Sequence, residues 1–128
     1  MRVGNLLRRC ATRGVITYDR RGFGKSSQPT VGYNYDTFAE DLHKLVAQLK
    51  LRDFILVGFS MGGGEVARYF GKYGSKGVRK AVIISGVPPY LLKTADNPEG
   101  VDGSVFAGIQ KAVAADRYAF FTGFFQSF

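Results

Sequence analysis

Five residues, Gly58-Phe59-Ser60-Met61-Gly62, constrain this chain more than any other stretch. Ahead of them runs Phe54-Ile55-Leu56-Val57, a short apolar run of the kind that fills a strand buried on both faces. Behind them, residues 63–71 suit a helix. Strand, Gly-x-Ser-x-Gly and helix in that order demand a very sharp turn, which strains the serine backbone and pushes its hydroxyl outward. Gly58 and Gly62 are expected to supply the Cβ-free positions that let the two arms of the turn pass each other. The following helix aims its free N–H groups and positive dipole end at any anion formed beside Ser60. Glycine makes up 17 of the 128 residues, so the motif alone could arise by chance. Its flanks give it meaning, and the chemistry they suit is acyl transfer.

The rest of the chain supports an α/β class. Residues 1–13 hold Leu6, Leu7 and four arginines and read as a helix end or a frayed terminus. Residues 15–18 are a β-branched run and predict a strand. Gly24-Lys25-Ser26 in the loop that follows suggests a phosphate-binding loop, but that motif needs its first glycine at position 19, where Asp19 stands. A structural turn built on Gly22 and Gly24 is the expectation. Phe38, Leu42, Leu45, Val46 and Leu49 form one apolar stripe and predict a helix over 35–50, with Asp36 and Glu40 early and Lys44 and Lys50 later to suit the macrodipole. His43 lies just off that stripe and reads as a surface or boundary residue. Residues 74–77 mark a turn and 81–85 a third strand. Strand, helix, strand, helix, strand predicts a parallel sheet with flanking helices.

Gly62-x-Gly64-x-x-Ala67 fails as a dinucleotide fingerprint. Ser85-Gly86 stands at the next strand end, where an acidic residue belongs. After the break at Val87-Pro88-Pro89 come a loop over 94–103 and two short helices, about 104–114 and 116–126. The second carries Phe120, Phe121, Phe124 and Phe125, with Phe128 after it, and needs apolar cover.

Charge and composition exclude several classes. The net charge of +8 is concentrated early, with seven basic side chains against Asp19 alone in residues 1–30. No aromatic residues interleave there as a base-stacking platform requires, so nucleic acid is not an expected partner. No apolar run approaches the roughly 18 residues of a membrane span. One cysteine, Cys10, excludes an internal disulfide, and one histidine leaves no metal-ligand cluster. The expectation is a cytoplasmic protein with neither metal nor cofactor.

The longer string Gly58-Phe59-Ser60-Met61-Gly62-Gly63-Gly64-Glu65-Val66-Ala67-Arg68-Tyr69 resembles the cofactor-free (non-haem) chloroperoxidases and related arylesterases of the α/β-hydrolase superfamily. Asp19-x-Arg21-Gly22-x-Gly24-x-Ser26 is similar to the loop after the fourth strand in many members, and the resemblance runs from about Val15 onward. It implies an incomplete α/β-hydrolase core over 14–86, an atypical segment over 1–13, and the start of a helical cap over 87–128. It implies Ser60 as nucleophile and the Met61 backbone N–H as one oxyanion donor. The substrates implied are a small ester, or a carboxylic acid with peroxide. The superfamily orders its triad serine, acid, histidine, yet no histidine follows Ser60. His43 precedes Ser60 and does not fit the implied base. The second oxyanion donor and a strand between residues 15–18 and 54–57 also lack matching segments. The chain therefore looks truncated at both ends, with weak or absent activity in these 128 residues. The alternative expectation is a catalytically inert fragment that acts, if at all, by association with another protein such as a full-length homologue. Exposed strand edges and the Phe-rich end are the surfaces for that or for self-association.

Overall fold

Parallel pairing of the strand before Ser60 with the strand after its helix organises the backbone. The computed structural model describes residues 6–10, 13–88 and 90–127. In chain order the elements are β1 (Leu6–Cys10), β2 (Arg13–Thr17), α1 (Tyr35–Gln48), β3 (Phe54–Phe59), α2 (Met61–Tyr73), β4 (Val78–Ile84), α3 (Gly103–Ala115) and α4 (Arg117–Gln126). They fall into two compact units, Met1–Val87 and Pro88–Phe128.

In the first unit β3 and β4 pair in parallel, linked by α2 as a βαβ crossover. Tyr69 and Val66 of α2, Ala39 and Leu42 of α1 and Leu56 of β3 form the buried cluster. Asn34 starts α1 by accepting the Thr37 N–H at 3.0 Å. Asp36 of α1 accepts from Arg68 of α2 at 2.8 Å, pinning the two helices together. The apolar stripe of α1 is real over Phe38, Leu42 and Leu45, whereas Leu49 is exposed at the C-cap. Lys44 reaches back to Glu40 at 2.5 Å, and no basic residue lies in the last turn of α1. The expected dipole complement at that end lies outside the last turn, at Lys50 just beyond the Leu49 cap.

Two further expectations need correction. Residues 6–10 form neither a helix end nor a frayed terminus. They are strand β1, antiparallel to β2, with Leu7 opposite Ile16 and Arg8 opposite Val15. A β-branched run with an open edge recruits the nearest chain able to extend beside it. Consequently β2 lies in a separate sheet from β3 and β4, and the described residues place no strand between β2 and β3. The second correction concerns β3. Leu56 and Gly58 are buried under the helices, but Val57 is 62% and Phe59 67% exposed. Only one face of the sheet is covered.

The second unit is built from local signals. Asp102 caps α3 through the Ser104 N–H at 2.9 Å, and Asp116 caps α4 through Tyr118 and Ala119 at 3.0 Å. Ahead of α3, the Asn97 side-chain amide donates to the Tyr90 and Leu92 carbonyls at 3.0 Å and ties the loop. Along α4, Phe120 stacks with Phe124 and Phe121 with Phe125, each four residues apart. Neither helix has a buried residue. No helix among the described residues is long and apolar enough to cross a membrane.

Candidate active site

The site begins with a close approach of backbone to backbone. A Cβ on Gly58 would lie 2.3 Å from the Gly62 carbonyl oxygen and 2.7 Å from the Gly63 nitrogen, so no side chain fits there. Gly62 is different from expectation, because a Cβ there would meet only Arg20 Nη2, at an ordinary 3.7 Å. Gly63 and Gly64 are tight as well: a Cβ on Gly63 would come within 2.9 Å of Ile83 Cγ2 on β4, and one on Gly64 within 2.5 Å of Tyr35 Cζ on α1. The glycine run thus lets α2 lie close to the sheet as well as letting the chain turn. Strand β3 also continues through Phe59, and α2 begins at Met61, earlier than residue 63. The turn is a single residue wide.

That residue is Ser60. It takes φ 51° and ψ −118°, a left-handed conformation that side chains other than glycine rarely adopt. Its N–H donates to the Ile84 carbonyl at 3.0 Å, and its carbonyl accepts from the Gly63 N–H at 2.9 Å, so the strained residue is held from both sides. The Ser60 hydroxyl makes no capping bond to α2. As the first residue of α2, Met61 presents an N–H with no intrahelical acceptor, at the positive end of the helix.

The structure separates His43 from this turn. The His43 ring stacks on Tyr73 with centroids 4.0 Å apart and planes 5° apart. Tyr73 ends α2 and Ser60 caps its start, 13 residues apart, which is roughly 20 Å of helix. His43 is an exposed residue stacked on Tyr73, as a surface or boundary position is expected to be. The loop of residues 19–27 is likewise held by its own contacts. Asp19 accepts the Lys25 N–H at 2.9 Å, Ser26 donates to the Asp19 carbonyl at 2.6 Å, and Gly22 and Gly24 take φ 79° and 51°. The Lys25 N–H that a phosphate loop would turn to its ligand is taken by Asp19.

Glu65 was not singled out from the sequence. Its side chain is 3% exposed, one turn into α2. It accepts the Tyr18 hydroxyl and the Arg20 Nε, the latter at 2.6 Å. Burial, and next the Glu65 carboxylate, push the Tyr18 phenol far above its ordinary range. Arg20 also lies 4.9 Å over the Phe38 ring and reaches the first turn of α2 beside Gly62. This cluster ties the loop after β2 to the helix behind Ser60. Four-residue spacing from Tyr69 places Glu65 on the buried face of α2, the one sequence signal that could have found it. No group of three or more His, Cys, Asp or Glu side chains among the described residues could hold a metal ion.

Residues 1–126 match the family model described as alpha/beta hydrolase fold. A Synechocystis sp. protein bearing a non-haem chloroperoxidase name is 67% identical over 114 residues, which is 89% of this chain and 41% of that one. The bifunctional esterase/perhydrolase of Acinetobacter calcoaceticus is 41% identical over 107 residues, 84% of this chain and 39% of its own. Among solved structures, the bromoperoxidase from Bacillus anthracis superposes with a TM-score of 0.82 at 56% identity, over 87% of this chain and 41% of that one. The chain spans about two-fifths of the length of the curated relatives it matches.

Proposed function

The chain belongs to the α/β-hydrolase family, and from that premise we propose that it carries the nucleophile half of a serine acyl-transfer site of the non-haem haloperoxidase and esterase type. Ser60 attacks the carbonyl of a small ester or carboxylic acid, and the Met61 N–H donates to the developing oxyanion. The C–O bond to the alcohol or water breaks as that group leaves the acyl-enzyme. Water then releases the acid, or peroxide releases a peracid able to oxidise halide. The observation that carries the proposal is the single-residue turn at Ser60, strained at φ 51° and forced on the chain by the Gly58 contact. The haloperoxidase and perhydrolase names of the relatives support the substrate class. The proposal includes a cytoplasmic location, for cell fractionation to check.

Attack needs a base, and the structure brings no histidine to Ser60. Loss of that base costs on the order of 10⁶ in kcat in a triad enzyme. Residues 1–128 alone are therefore expected to hydrolyse phenyl esters at a rate that Ser60→Ala barely changes. Prolonged exposure to a fluorophosphonate probe, followed by peptide mapping, should nevertheless give slow modification confined to Ser60. Modification spread over other serines, or persisting unchanged in Ser60→Ala, would remove Ser60 from the role of nucleophile. Rapid turnover lost in Ser60→Ala would instead show that a base is supplied within these residues.

A further inference from the structure

Four described residues other than glycine take positive φ: Lys50, Asp53, Ser60 and Ser85. Lys50 follows the Leu49 cap of α1, where a left-handed residue commonly ends a helix, and Asp53 is of a type that tolerates that region. Ser60 is the turn between β3 and α2. Ser85, at φ 44°, directly follows β4 and has no such account, since the next helix, α3, begins only at Gly103. Gly86, which would take that conformation without strain, stands one place later. The two strained serines are neighbours. Phe59 and Ile84 are the last register partners of β3 and β4, so Ser60 and Ser85 leave adjacent strand ends, about 5 Å apart across the sheet. The Ser60 N–H donates to the carbonyl of Ile84, the residue joined to Ser85. A Cβ on Gly63 would lie 3.0 Å from Gly86 Cα, so the chain leaving Ser85 presses on the first turn of α2. Ser85 is exposed, and its hydroxyl has no hydrogen-bond partner among the described residues. A hydroxyl that ties nothing in the fold, held in strained backbone beside the nucleophile, is where strain points to a ligand. The carboxyl ends of parallel strands are also where α/β sheets bind their ligands.

We propose that Ser85 Oγ hydrogen-bonds the substrate oxygen that Met61 does not: the ester or acid oxygen that leaves, whose place the incoming water or peroxide then takes. The inference rests on the nucleophile reading of Ser60 and deepens it by naming the group that recognises this oxygen. In serine acyl transfer the departing and attacking oxygens occupy one position in turn, because the second half-reaction retraces the first. A hydroxyl suits both occupants. It donates to an ester oxygen, and it accepts from the O–H of water or peroxide. A main-chain N–H could serve only the first. Ser85 holds that oxygen in place, and no bond is made or broken at Ser85 itself. It therefore favours leaving groups that depart through oxygen.

The test compares residues 1–128 with two variants. Ser85→Ala removes the hydroxyl and keeps the positive φ, whereas Ser85→Gly removes the hydroxyl and relieves the strain. Urea unfolding reads the fold. Peptide mapping reads modification of Ser60 by two phosphonates that differ only in the leaving group, p-nitrophenoxide or fluoride. Both variants should react about tenfold more slowly with the p-nitrophenyl phosphonate. With the fluorophosphonate, whose fluorine is the weaker hydrogen-bond acceptor, the loss should stay below about twofold. Ser85→Gly should unfold at a urea concentration no lower than the parent, and a lower midpoint would mean that the side chain supports the fold, against the proposal. An equal loss with both probes, or a loss in Ser85→Ala that Ser85→Gly does not share, would assign Ser85 to shaping the turn and overturn the proposal. Unchanged rates in both variants overturn it as well. Each of those outcomes leaves Ser60 labelled in the parent and the nucleophile reading intact. A parent whose Ser60 neither probe modifies would instead remove that reading, and this inference with it.

Discussion

The two units differ in how their elements are held. In the first, α1 and α2 close over one face of the β3–β4 sheet, and two buried carboxylates are each paired with a half-buried arginine, Glu65 with Arg20 and Asp41 with Arg21. In the second, both helices have clean aspartate caps and a ladder of stacked phenylalanines, yet no residue is buried. Caps and (i, i+4) pairs supply a few tenths to about 1 kcal/mol each, enough to bias a short helix but not to fix it in a core. Helical structure alone therefore does not indicate stability. Long-range burial distinguishes the unit that carries Ser60.

Substitutions should expose that contrast. Glu65→Ala leaves the Arg20 guanidinium, only 17% exposed, without its carboxylate. It should cost the first unit about 3 kcal/mol in urea unfolding, while a loss below about 1 kcal/mol would show that the cluster is not a structural tie. Gly58→Ala forces a Cβ to within 2.3 Å of the Gly62 carbonyl oxygen. A destabilisation of about 2–3 kcal/mol is expected, and an unchanged unfolding midpoint would mean the turn is looser than described.

The third test uses pH. Burial first, then Glu65, raises the Tyr18 phenol, and burial likewise raises Tyr35 and Tyr69. Above the ordinary phenol value of 10.0 the unfolded chain releases protons that the folded chain keeps, so stability falls as pH rises beyond about 10. Below that value the contribution is fully present. Thermal melts should decline in that window, and Tyr18→Phe should flatten the decline. An identical slope in Tyr18→Phe would remove Tyr18 from the linkage. The smallest effect belongs to the second unit, where Phe125 is 69% exposed. Phe125→Ser should change unfolding by less than about 0.5 kcal/mol, and amides of α3 and α4 should exchange faster than those of α2 and β3. Equal protection in the two units would erase the contrast.

Much of the site was legible because its signals are local. The Gly-x-Ser-x-Gly spacing between an apolar run and a helix located Ser60, and Asp19 in place of a first glycine excluded the phosphate loop. Fold class followed from the alternation of strands and helices. What was missed depends on residues far apart in the chain. The side chain of Glu65 finds Tyr18 and Arg20 across 47 and 45 positions, and no periodicity names such partners. The requirement for glycine at 63 rather than 62 depends on where Ile83 comes to rest.

By itself, the sequence determined the element types from residue 14 onward, the place of Ser60 in its turn and the lack of a histidine after it, because composition, spacing and turn chemistry act over a few residues. Tertiary structure alone decided that β1 pairs with β2, that one face of β3 stays bare, and that His43 packs on Tyr73 away from Ser60. Those outcomes turn on which surfaces meet, and burial is a property of the assembled chain.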